Sequence, residues 1–220
     1  MLIEHEGIHP RIAGSAYVAP TAVVCGDIEV GEDCRILFGA VLVAEGGPVV
    51  LGRACIVMEN ALVRGRAGHP TRLGDHTLVG PHAHLNGAEI SDRCFLATGV
   101  SVFPGARVGS RSEVRINGVV HVNTVLEPDS TVPIGWVAVG DPAQLLPPNR
   151  HEQIWEVQAR LDFPGTVYGV ERPPPGASAM EEITRGYAEL FGRHREDRIV
   201  GQQGSRPSQS GRDQGAGTAP

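Results

Sequence analysis

The feature that most constrains the fold of this chain is an aliphatic residue that recurs every six positions. The period is already present at Val18 and continues, with short interruptions, as far as Val132. Its longest strict stretch places aliphatic side chains at Ile90, Leu96, Val102, Val108, Val114, Val120, Leu126 and Val132. A period of six matches neither an α-helix nor a simple alternating strand. It is typical of a parallel β-helix, in which each hexapeptide forms one short strand and one tight corner.

The composition agrees with a core built between many turns. The chain holds 29 glycines and 17 prolines, whereas aromatic residues make up only 5%. A small residue follows most of the phased aliphatic residues by four positions, and Cys34, Cys55 and Cys94 occupy this inward position. We therefore expect these three cysteines to be inert core thiols. By the same phase Cys25 is expected to point outward, without an activating partner.

The repeat covers only part of the chain, and the residues after it follow a different pattern. We predict four regions: an N-terminal cap at residues 1–14, the β-helix at 15–143, a helical extension at 144–198 and a disordered tail at 199–220. Asn149 is placed to cap a first helix, which ends near Asp162. Ser178 and Glu181 form a capping box for a second helix. We expect the first helix to pack against the solenoid and the second to be held weakly or not at all.

Three segments of the chain resemble the γ-class carbonic anhydrase-like proteins: PTAVVCGDIEVGED at residues 20–33, HPTRLGD at 69–75 and VGDPA at 139–143. These proteins belong to the left-handed β-helix superfamily, which also contains the hexapeptide acyltransferases. The resemblance covers roughly residues 15–160. It implies an all-β solenoid, namely a left-handed parallel β-helix with a C-terminal α-helix, that packs as a homotrimer.

The resemblance also implies where a metal would lie. The family holds its metal with three histidines on adjacent coils, completed across the trimer interface, and these positions fall here at Arg64, Pro81 and Asn86. A guanidinium stays protonated, and proline offers no side-chain ligand. We therefore expect that the family's metal centre cannot form, and that carbonic anhydrase activity by the family mechanism is absent or very weak.

Polar residues nonetheless gather around these positions. His84 and Asn86 flank the inward-facing Leu85, so both are expected to point outward, and Glu59 and Arg64 lie one coil below. We name His84, Glu59, Asn86 and Arg64 as candidate catalytic residues, with an imidazole serving as a general base near pH 7. No cofactor-binding residues are predicted.

The histidines of this region allow a second hypothesis. His69, His82 and His84 are candidate ligands of a displaced divalent metal, either zinc or iron. Outward histidines at a subunit seam also occur simply as hydrogen-bonding partners of their neighbours. His121, two coils away, is the residue that would act as the base if the protein were an acyltransferase.

Several classes of function do not fit the composition. The formal net charge is −6 and all 19 basic residues are arginines, which excludes lysine Schiff-base chemistry and does not suggest nucleic-acid binding. No apolar run approaches the roughly 20 residues that cross a bilayer, and residues 1–10 show no signal-peptide pattern. We therefore expect a cytoplasmic protein with neither a nucleic-acid nor a membrane partner.

Three functional hypotheses remain open. The favoured one is a lyase- or hydrolase-type enzyme that acts on a small-molecule substrate in a remodelled pocket between subunits. The alternatives are a hexapeptide acyltransferase that uses CoA and a non-catalytic trimeric scaffold. An outward apolar strip of Phe38, Val41, Val43 and Leu62 supports burial between subunits in all three cases.

Overall fold

The computed structural model describes residues 1–201, which form a β-helix followed by a helical extension. The strands are, in chain order, β1 (Leu2–Glu4), β2 (Arg11–Ile12), β3 (Tyr17–Val18), β4 (Val23–Cys25), β5 (Ile28–Val30), β6 (Arg35–Ile36), β7 (Val41–Glu45), β8 (Val49–Leu51), β9 (Ile56–Val57), β10 (Leu62–Arg66), β11 (Thr71–Leu73), β12 (Leu78–Val79), β13 (His84–Asn86), β14 (Glu89–Ile90), β15 (Phe95–Leu96), β16 (Ser101–Val102), β17 (Arg107–Val108), β18 (Glu113–Val114), β19 (Val119–Val120), β20 (Val125–Leu126), β21 (Thr131–Val132), β22 (Val137–Val139), β23 (Gln144–Leu146) and β24 (Arg198–Gly201). The helices are α1 (His151–Gln158), α2 (Phe163–Tyr168) and α3 (Met180–Gly192), and a 3₁₀ helix covers Arg193–Glu196.

The strands stack into three sheets, because each full coil of the β-helix contributes one strand to each sheet. The large sheet has ten strands, in the order β23-β22-β19-β16-β13-β10-β7-β4-β1-β24, and the other two sheets have seven strands each. Pairing between coils is parallel, whereas the end strands β23 and β24 pair antiparallel with β22 and β1. The predicted left-handed parallel β-helix is confirmed.

The phased aliphatic residues form the core. One inward column of the large sheet runs in register through Val24, Leu42, Val63, Leu85, Val102 and Val120. All of these side chains are fully buried. Cys34, Cys55 and Cys94 are also buried in this core, as predicted. Because a single coil cannot bury its own column, neighbouring coils stabilise one another.

Corners of the coils use a left-handed backbone conformation. Asparagine, aspartate and histidine tolerate this conformation better than other non-glycine residues do. Asn60, His82 and Asn117 lie on one line of corners, with φ angles of 57°, 56° and 56°. His82 therefore has a structural reason for its position in the sequence.

The β-helix begins earlier than the sequence predicts. β1 pairs in parallel with β4, so that Leu2 lies opposite Val24. β2 likewise pairs with β5. Residues 1–14 therefore supply the first two strands of the first coil rather than a separate cap, because stacking on the next coil provides hydrogen-bond partners for their backbone.

The helical extension differs from the prediction in detail. The N-cap of α1 is Arg150 rather than Asn149, and it makes no side-chain capping bond. α2 follows as an additional helix, which the residue pattern did not indicate. α3 is the predicted second helix, but the predicted capping box does not form, because its N-cap is Ala179 without a side-chain capping bond. Ser178 Oγ instead accepts a hydrogen bond from the Met180 amide at 3.2 Å.

The end of the described chain forms a strand. β24 pairs antiparallel with β1 at the open end of the large sheet. The expectation of disorder from residue 199 is therefore wrong for residues 199–201, because the unpaired edge of β1 is a template for another strand. Residues 202–220 of the predicted tail lie outside the described residues. None of the helices in residues 1–201 has the length and apolar character required to cross a membrane.

Candidate functional site

The C-terminal extension packs on the outer face of the large sheet, which carries three of the four candidate catalytic residues: Arg64, His84 and Asn86. Rings from α2 and α3 contact one another in series from Phe163 through Tyr168 and Tyr187 to Phe191, with centroids 5.0 to 6.0 Å apart. The Arg66 guanidinium lies 5.9 Å from the Tyr187 ring centroid and donates to the Tyr187 hydroxyl at 3.1 Å. The second helix thus contacts the sheet through Arg66 and Tyr187, although none of its residues is buried.

Arg64 and Asn86 lie side by side beneath this layer. They face each other in the register of β10 and β13, with Val43 next to Arg64 on the preceding coil. Asn86 is only 4% exposed. The guanidinium carbon of Arg64 lies 5.7 Å from the centroid of the Phe191 ring. Arg64 thus faces the C-terminal extension, and Asn86 lies next to it on the neighbouring strand.

His84 lies on the same strand as Asn86, two residues earlier. Its ring is half-buried and makes an edge contact with Phe103, with the ring centroids 6.3 Å apart. Burial lowers the pKa of His84, and the positive charges of Arg64 and Arg66 lower it further. The imidazole is therefore neutral at pH 7, which is the form that accepts a proton.

Several buried polar atoms on this face have no hydrogen-bond partner within residues 1–201. They are Arg64 Nε, His84 Nε2, Asn86 Oδ1, His121 Nδ1 and His121 Nε2. Most buried polar atoms in folded proteins are paired, and an unpaired one costs about 1–3 kcal/mol. Their concentration on the outer face of one sheet indicates a place where another molecule supplies the missing partners.

A cavity of about 410 Å³ opens beside Arg64, under α2 and α3. Glu45, Arg66, His69 and Tyr187 contribute to its lining. Arg66 is held in place, because it donates to the Val167 carbonyl oxygen as well as to Tyr187. The lining carries three arginines, Arg64, Arg66 and Arg193, against the single carboxylate of Glu45, and this excess of positive charge favours an anionic group such as a carboxylate or a phosphate.

The remaining predicted site residues are more scattered. Glu59 and His82 lie at one corner of the coils, where the His82 amide donates to the Glu59 carbonyl oxygen at 3.0 Å. His69 lies at the tight turn that closes β10, and it lines the cavity. Within residues 1–201, His69, His82 and His84 form no group of metal ligands, because the left-handed corner holds an exposed His82 apart. A single chain therefore does not assemble the zinc or iron site of that hypothesis.

Sequence reasoning misses a second polar cluster, which we call the first-coil cluster: His5, Cys25, Glu45, His194 and Asp197. The Nδ1 atoms of His5 and His194 lie 2.6 and 2.7 Å from the Asp197 carboxylate, and Cys25 Sγ lies 3.5 Å from it. Burial raises the pKa of the Cys25 thiol to about 12, and Asp197 contributes to the shift. No local motif reveals this cluster, since His5 and Asp197 are 192 positions apart.

Comparison with known proteins decides the family. No protein-family model matches the chain. The chain is 31% identical to the mitochondrial gamma carbonic anhydrase 1 of Arabidopsis thaliana over 152 residues, which cover 66% of this chain and 53% of that protein. It is 26% identical to a carbonic anhydrase of Geobacillus kaustophilus over 109 residues, which cover 50% and 60% of the two chains. The chain is a γ carbonic anhydrase-like protein.

This γ carbonic anhydrase-like protein spans about half the length of the Arabidopsis relatives it matches. A solved structure from Bacillus cereus, described provisionally as an acetyltransferase, covers 72% of the chain with a TM-score of 0.50 and 21% identity. The match includes 90% of that structure. At this identity the likeness shows the fold alone, and it agrees with the hexapeptide-repeat architecture.

The metal positions of the family do not fit a metal in this γ carbonic anhydrase-like protein. Arg64 carries a positive charge, and Pro81 has no ligand atom. Asn86 offers a single neutral oxygen, and the Phe191 ring lies over Arg64. Structural and catalytic zinc sites require several histidine, cysteine or carboxylate ligands. Arg64, Pro81 and Asn86 therefore do not form the family's metal centre.

Proposed function

We propose that this γ carbonic anhydrase-like protein is a lyase- or hydrolase-type enzyme that acts as a homotrimer on a small anionic molecule. The observation that carries the proposal is the set of unpaired buried atoms on the outer face of the large sheet, Arg64 Nε, His84 Nε2 and Asn86 Oδ1, of which Arg64 also lines a cavity of about 410 Å³. Each unpaired buried polar atom lowers the stability of the folded chain by about 1–3 kcal/mol, and a non-catalytic scaffold has no function that requires such atoms. A binding site needs a few such polar groups in a partly apolar pocket.

Binding of the anion is assigned to Arg64. Its Nε is unpaired and its side chain lines the cavity, whereas Arg66 is fixed by Tyr187 and supplies a second positive charge. Asn86 Oδ1 accepts a hydrogen bond from a hydroxyl or amide hydrogen of the substrate. The favoured substrate therefore has an anionic group and a hydrogen-bond donor close to each other.

His84 is proposed as the general base. Its lowered pKa keeps the imidazole neutral, so Nε2 takes a proton from a water molecule or from a substrate hydroxyl. The guanidinium of Arg64 stabilises negative charge that develops on the substrate. No step requires the family's metal. Glu59 lies at the corner of the coils, and its catalytic role depends on how a neighbouring copy packs.

The trimer is proposed because a large apolar surface stays exposed on one chain. A groove of about 470 Å³ at the corner of Pro81 is lined by apolar side chains that include Phe95, Ile116 and Ile134. The exposed fractions of these three side chains are 42%, 45% and 63%. Part of the predicted strip is covered within the chain, since Val43 is only 7% exposed, whereas Phe38 remains 52% exposed. Surfaces of this kind mark interfaces.

Turnover measurements test the proposed enzymatic activity and the assignment of His84 as its general base. The purified full chain is assayed against a panel of small carboxylate and phosphate esters and of hydroxy acids. We expect at least one compound to be converted, with activity lost in His84→Gln and kept in His76→Asn, a matched change at an exposed corner histidine. Acetyl transfer from acetyl-CoA without conversion of any panel compound would favour the acyltransferase alternative and contradict the proposal. Activity that survives in His84→Gln would contradict the assigned base.

Sedimentation equilibrium tests the assembly. We expect a mass of about three chains of 23.3 kDa each, because the exposed apolar groove is then buried between subunits. Ile134→Asp places a charge in the groove at a residue that is 63% exposed, so it should split the trimer without unfolding the chain. A wild-type monomer would refute the subunit interface.

A further inference from the structure

The pairing of the first and last described strands brings distant residues into contact. β24 runs antiparallel to β1, and the register places Glu4 opposite Arg198. The next pair along this register is His5 and Asp197, so the backbone alone sets these two side chains close together. Cys25 follows from the neighbouring strand, because β4 pairs with β1 and Ile3 lies opposite Cys25. The first-coil cluster is therefore a consequence of the fold.

The cluster has the chemistry of a metal site. One ligand atom each from His5, Cys25, His194 and Asp197 lie within 4.8 Å of one another, and no other group of three or more such ligands occurs in residues 1–201. His5 and Cys25 are 6% and 4% exposed. Bonds of about 2.0–2.3 Å to a tetrahedral zinc ion place its ligand atoms about 3.3–3.8 Å apart. Four-coordinate geometry therefore requires the widest separations, up to 4.8 Å, to shrink by about 1 Å, and the two histidine–Asp197 contacts of 2.6 and 2.7 Å to widen by about 1 Å.

The position of Glu45 is a second, independent observation that supports a metal site in this cluster. His194 turns Nδ1 towards the cluster, while its Nε2 is hydrogen-bonded to the Glu45 carboxylate on the opposite side of the ring. A carboxylate on the far nitrogen is the usual outer partner of a histidine that binds zinc, since it fixes the ring and its tautomer. Glu45 is 5% exposed. Together with the partly buried Asp197, it places two carboxylates around the His194 ring, and carboxylates of this kind suit a divalent cation held by that ring.

We propose that His5, Cys25, His194 and Asp197 bind one zinc-type divalent cation that fastens the C-terminal segment to the first coil. A thiolate together with imidazoles selects a borderline transition metal such as zinc over magnesium or calcium. Four protein ligands fill a tetrahedral shell, which makes the site structural. The proposal does not rest on the proposed enzyme function, because none of these four residues takes part in it.

Metal analysis of the full chain, purified without an affinity tag, tests the site. The protein is stripped with a chelator, loaded with zinc and desalted, and zinc per chain is measured. We expect about one zinc per chain in the wild type and in the control His9→Ala. His9 is exposed and directly follows the turn between His5 and Ile8, but it is not one of the proposed ligands. His194→Ala and Cys25→Ala should retain only a small fraction of that amount. Full zinc content in both variants would overturn the proposal, as would a wild type that takes up none.

Two further readouts do not depend on how the variants fold. Cobalt bound to the wild type should show a thiolate-to-cobalt charge-transfer band, because Cys25 is a ligand. Trypsin should cut the apo chain at Arg193 and Arg195, which flank His194, after local opening of the segment. Free zinc at about 100 times its Kd should slow this cleavage by up to about 100-fold. A cobalt complex without the band, or cleavage that zinc leaves unchanged, would contradict the proposed ligands.

Discussion

Replacing Asn86 with leucine is expected to stabilise the ligand-free protein while it abolishes ligand binding. Asn86 is 4% exposed, and its Oδ1 has no partner within residues 1–201. Leucine has a similar size and shape but no polar atom. Removal of the unpaired carbonyl should therefore raise the free energy of unfolding by about 1–3 kcal/mol. For a chain of this length each kcal/mol raises the Tm by about 2–4 °C.

Urea and thermal unfolding followed by circular dichroism measure this change. Thr124→Val is the matched control, because Thr124 is fully buried but its Oγ1 accepts a hydrogen bond from the Gly140 amide at 3.2 Å. Loss of this satisfied bond should lower the free energy of unfolding by about 1 kcal/mol. If Asn86→Leu destabilises the protein as much as Thr124→Val does, the Asn86 amide is structural, and the argument from unpaired atoms fails.

Three further predictions concern the site and the core. Burial, and after it the charges of Arg64 and Arg66, lower the pKa of His84. Turnover should therefore fall as the pH drops through this lowered pKa, where the base becomes protonated, and an inflection above the ordinary pKa of histidine in the pH–rate profile would contradict this assignment. Stopped-flow CO₂ hydration on zinc-loaded protein should show no rate above background, since Arg64 and Pro81 cannot hold a metal hydroxide; a rate comparable to that of an active family member would disprove it. Leu85→Ala should lower the free energy of unfolding by about 2–5 kcal/mol, because Leu85 is fully buried at the centre of the inward column; a loss below about 1 kcal/mol in urea titrations would show that the coils do not depend on one another.

The periodic part of the fold could be predicted from the sequence, because every hexapeptide obeys the same local rule. The phase alone places Leu85 inside, where it is fully buried in the core, whereas Asn86 is also buried at 4% exposure, which the phase does not predict. The phase also predicts Cys94 as a core thiol. The unsuitable metal positions Arg64 and Pro81 are equally local, since only residue identity matters there.

The packing of the C-terminal extension on the large sheet could not be predicted, because it depends on contacts between segments that are distant in sequence. The apolar face of α3 is visible in the sequence, but the sequence does not show that Tyr187 meets Arg66. The first-coil cluster depends on the pairing of β24 with β1. His82 resembled a metal ligand because it lies near His84, whereas its left-handed corner conformation explains the residue without any metal.

Calorimetric titration of the full chain with a panel of small carboxylates and phosphates tests most directly whether Arg64 binds an anion on the outer face of the large sheet. Arg111→Met is the control, because Arg111 is exposed and paired with Asp129 at 2.7 Å. We predict saturable binding of at least one anion to the wild type and to Arg111→Met, and its loss in Arg64→Met. The account is contradicted if no anion binds saturably, or if Arg64→Met binds as tightly as the wild type.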